Sequence, residues 1–201
     1  DKTYLSLSQD EKLGQLFIVA LYTNKDEAHI NNVRKIVNDE KIGGLILMQD
    51  DAEREINLVN EFQQKSKIPL MIGMDAEWGV FQRIAAAHKF PWAMTLGAIQ
   101  DKTLITEMAA KIAEDCKRMG INWDFAPVVD VNTNPNNPII GNRSFGSEVL
   151  NVVNSAMAYS KGLQDHNILA AIKHFPGHGD TDKDSHLDLP VVSHSLKRLT
   201  E

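Results

Sequence analysis

The chain has 201 residues, 43% of them hydrophobic and 24% charged, enough for one sizeable core and scarcely enough for two. A net charge of -6 with no basic stripe excludes a partner held by phosphate neutralisation, nucleic acid above all. No apolar run approaches the roughly 20 residues that span a bilayer, and the single cysteine, Cys116, has no internal partner for a disulfide.

In chain order, short apolar runs alternate with longer amphipathic ones. Residues 16–21, 44–48, 70–74, 121–126 and 168–174 are continuous runs rich in Ile, Leu and Val. Continuous rather than alternating apolar runs predict parallel strands buried on both faces. Between them, 28–37 and 52–64 read as helices. Residues 103–119 read as a third, with Leu104, Met108, Ile112 and Cys116 on one face and Gly120 as its stop. Cys116 is accordingly expected in the core. Residues 147–164 form a fourth, with Ser147 as N-cap and Val149, Val152, Val153, Ala156 and Leu163 as the apolar stripe.

Strand and helix alternation implies βαβ units around a parallel sheet, either doubly wound or closed as a (β/α)8 barrel. The longest polar stretches, 75–87, 131–146 and 175–192, follow the third, fourth and fifth strands. Function spread over loops after several strands is the habit of a TIM-type barrel, whereas a doubly wound sheet concentrates it at one switch point. No Gly-rich phosphate turn follows the first strand. The expected fold is therefore an α/β, TIM-type (β/α)8 barrel, with 1–201 forming a single domain. Only about five βα units are counted against the eight of a closed barrel. The chain is expected to stop part-way through that barrel, with residues 195–201 opening a further helix.

The densest chemistry lies in Lys173-His174-Phe175-Pro176-Gly177-His178-Gly179-Asp180-Thr181-Asp182-Lys183-Asp184-Ser185-His186, directly after the fifth strand. Pro and two glycines make it a loop with sharp turns. Asp180, Asp182 and Asp184 imitate the start of a calcium loop. Ser185 then stands where the turn glycine belongs and Val191 where the bidentate glutamate belongs, so that reading fails. His174, His178 and His186 have ligand types suited to a catalytic metal, but Pro176-Gly177 breaks the helix that such spacing prefers. Acid/base chemistry is the third reading: two apart in an extended segment, Asp184 and His186 share a side, and the carboxylate orients the imidazole. Lys173 and His174 lie at the strand end, where rigid donors can grip a polyhydroxyl or acetamido group. A lysine ending an apolar strand needs a partner, which favours a pocket.

This fourteen-residue stretch closely resembles the signature of family 3 β-N-acetylglucosaminidases. Gly73-Met-Asp75-Ala-Glu-Trp-Gly79-Val80 with Arg83, Asn122-Trp-Asp-Phe-Ala-Pro127-Val128-Val-Asp130-Val and Asn142-Arg143-Ser-Phe-Gly146 resemble further segments of that family. The resemblance implies a (β/α)8 barrel and retaining hydrolysis of terminal β-linked N-acetylglucosamine, on muropeptide fragments or chitooligosaccharides, with no cofactor and no metal. It implies that Asp75, Arg83, Arg143, Lys173 and His174 hold the sugar, that His186 is the acid/base and that Asp184 is its partner. The family's nucleophile is an aspartate after a later strand, so the segment is expected to need the rest of its own barrel and to be inactive or aggregation-prone alone. Asp124 and Asp130 receive no role. Two rivals stand beside this reading: a metal-dependent barrel hydrolase using His174, His178 and His186, and a non-catalytic sugar-binding barrel.

Overall fold

A computed structural model describes residues 2–49, 51–184, 186–187, 189–192 and 194–200. Ser185 of the Asp-Ser-His triplet and Glu201, the end of the expected closing helix, lie outside them. Five parallel strands stand side by side in chain order: β1 (Ile18–Leu21), β2 (Gly44–Leu47), β3 (Met71–Met74), β4 (Trp123–Asp124) and β5 (Leu169–Ala170). Register places Ile18 opposite Gly44, Gly44 opposite Met71, Gly73 opposite Trp123, and Trp123 opposite Leu169. A doubly wound sheet would reverse its strand order at a switch point; this one does not. The fold is the expected α/β one, a five-strand arc of a TIM-type barrel.

α1 (Lys2–Leu5) and α2 (Gln9–Gly14) precede β1, and α3 (Glu27–Glu40) and α4 (Ala52–Lys65) connect the first three strands. α5 (Ala93–Gly97) and α6 (Thr103–Arg118) lie between β3 and β4, α7 (Val149–Gln164) between β4 and β5, and α8 (Leu196–Thr200) near the end. Side-chain caps mark several starts. Ser8 and Glu11 form a reciprocal capping box on α2, while Asp26 and Asp51 accept from first-turn amides of α3 and α4. The last helix falls within the stretch expected to hold one. No helix among the described residues is long and apolar enough to cross a membrane.

Three expectations need correction. β4 and β5 are two residues each, far shorter than their apolar runs. Pro127 has no N–H for the ladder, so pairing lapses there and resumes as an isolated Val128–Lys173 bridge. The buried face of α6 is Ile105, Ala109, Ile112, Ala113 and Cys116, with Leu104 exposed. A strict four-residue spacing rotates about 40° per step around a helix of 3.6 residues per turn, which carries Leu104 off the face that holds Cys116. α7 begins at Val149 with Glu148, not Ser147, at its N-cap position. It buries Val152, Ser155, Ala156, Tyr159, Gly162 and Leu163, while Val149 and Val153 are exposed. Cys116 is fully buried, as expected.

α6 and α7 approach closely because position 162 is glycine. A Cβ there would stand 2.3 Å from the Thr106 carbonyl oxygen and 2.6 Å from Ala109 Cβ. The Thr106 hydroxyl donates to the Ala158 carbonyl at 3.1 Å across the same seam.

Candidate active site

Three chain segments leaving the carboxyl ends of neighbouring strands meet over the sheet. The first leaves β3 at Asp75 and runs through Glu77 to a short 3-10 turn, Val80–Gln82, that ends at Arg83. Its backbone is held from beneath: Asp124 Oδ1 accepts from Ala76 N at 3.0 Å, and the Tyr159 hydroxyl donates to the Ala76 carbonyl at 3.1 Å. Gln82 Oε1 accepts from Glu77 N at 2.8 Å. The second segment, after β4, carries Arg143 at the end of the 3-10 turn Gly141–Arg143. Asn137 shapes it by accepting from Ile139 N and Ile140 N at 2.9 and 2.8 Å. Its amide also donates to the His178 carbonyl at 2.6 Å, tying this loop to the third segment, which follows β5 with Lys173 and His174.

The side chains interlock into an alternating series of charges. Arg83 Nη2 donates to Asp75 Oδ2 at 2.6 Å, and Lys173 Nζ to Asp75 Oδ1 at 2.7 Å. Lys173 Nζ also lies 2.8 Å from Glu77 Oε1. Arg143 grips Glu77 with two bonds, Nε to Oε2 at 2.9 Å and Nη2 to Oε1 at 2.7 Å, while its Nη1 donates to the Ile139 carbonyl at 3.1 Å. All five side chains are largely withdrawn from solvent, Glu77 most, at 5% exposure. Burial pushes both carboxyls up, but the cations outweigh it. Lys173 and Arg83 hold Asp75, and Arg143 and Lys173 hold Glu77, below the usual carboxylate range.

The series leaves hydrogen-bonding capacity for a ligand. Arg143 has five donors, three of them engaged, and Lys173 has three, two of them engaged. Each Asp75 oxygen accepts one bond and can accept another. Mixed donors and acceptors at fixed positions suit a neutral polyol better than a simple ion.

His174 and His178 are organised by Asp130, which sequence reasoning passed over. Asp130 is fully buried; its Oδ2 lies 2.6 Å from His174 Nδ1 and its Oδ1 accepts from His178 N at 2.6 Å. The His178 ring pairs through Nδ1 with the Thr181 hydroxyl. The metal reading of His174, His178 and His186 finds no support in this arrangement. Among the described residues no three His, Cys, Asp or Glu side chains are grouped to hold a metal ion.

Asp184 and His186 are brought together, though not by the extended segment expected. Leu187 N donates to the Asp184 carbonyl at 3.0 Å, closing a turn, and Asp184 Oδ1 accepts from His186 N at 2.8 Å. The same oxygen lies 2.7 Å from His186 Nδ1. The turn, rather than β alternation, therefore places the pair on one side. His186 is 73% exposed on the loop, and its backbone and ring bonds hold the Asp184 carboxyl below its ordinary range. Trp78 stacks obliquely on Trp92 at 4.0 Å between ring centroids, and Trp123 meets Phe125 edge-on at 4.8 Å.

Sequential parallel winding, with polar residues converging beyond the carboxyl ends of three strands, defines a TIM-type barrel. The chain belongs to glycosyl hydrolase family 3, whose N-terminal domain matches residues 8–201. It is 38% identical over 180 residues to β-hexosaminidase A of Pseudoalteromonas piscicida, covering 83% of this chain and 30% of that protein. It is 34% identical over 185 residues to the β-hexosaminidase LpqI of Mycobacterium bovis, covering 90% of this chain and 46% of that one. A solved family 3 β-N-acetylglucosaminidase from Paenibacillus superposes with a TM-score of 0.88 at 35% identity, covering 97% of this chain and 38% of its own. The chain thus spans less than half the length of each of these three relatives.

Proposed function

We propose that this chain carries the sugar-binding and acid/base half of a retaining β-N-acetylglucosaminidase acting on terminal β-linked N-acetylglucosamine of muropeptide fragments or chitooligosaccharides. The observation that carries the reading is the interlocked Asp75–Lys173–Glu77–Arg143 series, with free donors and acceptors, together with a carboxylate-oriented histidine further along the segment that begins at Lys173. Asp75, Arg83, Arg143, Lys173 and His174 hold the sugar through its hydroxyl and acetamido groups. His186, oriented by Asp184, protonates the leaving glycosidic oxygen while a carboxylate outside residues 1–201 attacks the anomeric carbon from the other face. His186 then takes a proton from water, whose oxygen displaces the carboxylate and returns the anomeric centre to β. The remainder of the barrel is required for both steps. The relatives named β-hexosaminidase and β-N-acetylglucosaminidase support the choice of sugar.

The test uses the full-length protein with aryl β-N-acetylglucosaminide and aryl β-glucoside, each with and without a chelator. Chelator-resistant turnover that prefers the N-acetyl sugar is expected. His186→Ala is expected to depress turnover of poor leaving groups by roughly 10²–10⁴-fold and of activated aryl groups much less. Equal loss on both leaving groups would remove His186 from acid catalysis. Chelator-sensitive turnover would revive a metal mechanism, and no turnover of either glycoside would leave a binding role.

A further inference from the structure

Glu77 has no part in the binding set proposed above, yet it is the most enclosed member of the charge series. Its Oε1 accepts from Arg143 Nη2 and pairs with Lys173 Nζ, and its Oε2 accepts from Arg143 Nε. A carboxylate has about four acceptor sites, so three are engaged and the side chain is 5% exposed. Little of Glu77 remains to touch a sugar. Its neighbours are the reverse case: Arg143 and Lys173 each keep donors for a ligand, and each has its orientation set by Glu77.

We propose that Glu77 is a positioning residue, which fixes the Arg143 guanidinium plane and the Lys173 ammonium so that their remaining N–H groups converge on the sugar. The inference rests on the sugar-binding roles proposed for Arg143 and Lys173. Three observations favour it over a merely structural ion pair. The Arg143 grip is bidentate, which sets a plane and not only a distance. Glu77 is fastened at its own backbone by Gln82 Oε1 on its N–H, and the Tyr159 hydroxyl shares its one proton between the Ala76 and Glu77 carbonyls at 3.1 and 3.3 Å, so the clamp has a rigid base. It also joins segments that leave three different strands, so no single loop could set both cations. Net charge points the same way. Arg83, Arg143 and Lys173 against Asp75 alone would leave two unbalanced positive charges in a pocket for a neutral sugar; Glu77 reduces the excess to one.

The experiment compares Glu77→Gln and Glu77→Asp with wild type in the full-length protein. Glutamine keeps the shape but, in either amide orientation, turns its N–H₂ toward an Arg143 N–H. KM for the aryl β-N-acetylglucosaminide is expected to rise roughly ten- to hundredfold, with a smaller change in kcat, and inhibition by free N-acetylglucosamine to weaken in step. Glu77→Asp, one methylene short, should show the same pattern at smaller size, and it decides the matter if the Gln variant does not fold. Arg143→Lys combined with Glu77→Gln should cost clearly less than the product of the single effects, because both remove one clamp. Unchanged KM with only a lower melting temperature, or strict additivity with Arg143→Lys, would overturn the positioning role. If the wild type neither turns over nor binds the N-acetyl sugar, the functional reading fails instead. A crystal structure of Glu77→Gln then decides the clamp: a displaced Arg143 guanidinium supports it, and an unmoved one overturns it.

Discussion

Asp124 lies one layer beneath the charge series, wholly buried, with Oδ1 on the Ala76 amide and Oδ2 sealed from solvent without a hydrogen bond. Burial pushes its carboxyl up to about 7, with Asp75 and Glu77 adding to the rise. The folded chain therefore keeps a proton that the unfolded chain releases near 3.8. The stabilising contribution is complete below that value, declines as pH rises and is gone above about 7. Asp75 and Glu77, held low, work with the opposite sign at acid pH but cancel in a comparison with Asp124→Asn. The melting temperature of that variant relative to wild type is expected to climb between pH 4 and pH 8. A flat difference would show that Asp124 does not titrate there. At this scale the sequence told which residue types stand at strand ends, and the structure brings Asp75, Arg83, Arg143 and Lys173 into one cluster. Glu77 and Asp130 were not legible. Each looks like any carboxylate in a polar loop until the fold brings it Arg143, 66 residues away, or His174, 44 residues away. Charge balance was the available signal, since three cations drawn into one pocket call for more than one anion.

Elements were easier to read than their faces. All five strands follow continuous apolar runs and the four long helices follow amphipathic stretches; β2 and β3 are buried as such runs predict, while β1 and β5 at the edges of the arc are partly exposed. The short helices α1, α2 and α5 hold too few residues to show a period, and the faces of α6 and α7 depend on their mutual packing. At that seam there is no room for an added methyl at position 162. Gly162→Val would drive its side chain into the Thr106 carbonyl and Ala109, both on α6. A loss of roughly 1–3 kcal/mol or more is expected, read as a lower denaturation midpoint with unchanged m-value. A midpoint within error of wild type would mean that the two helices separate freely.

Across the whole molecule the arc has two bare flanks. On the β1 side Leu16 and Phe17 are exposed; on the β5 side Met157, Leu169 and Ile172 are exposed beside Val153. Both flanks pair an outer strand of the sheet with exposed apolar side chains, the combination that promotes association. Residues 1–201 expressed alone are expected to elute well above 22.4 kDa and to bind a hydrophobic dye. A dye-silent monomer would show that the flanks are covered in some other way.

The ion series that joins Asp75 to Lys173 and Glu77 to Arg143 links positions 98 and 66 residues apart. Contacts that close such long loops come after the local βα units in the order of folding, since nothing rewards them until those units are in place. A ligand that needs the completed series binds only chains that have reached the end of that sequence. By mass action it enriches them, raising the melting temperature with its own concentration and protecting the slowest-forming part of the arc from proteolysis. For this polypeptide, a ligand of the completed series would report on the closing of the longest loops in the arc.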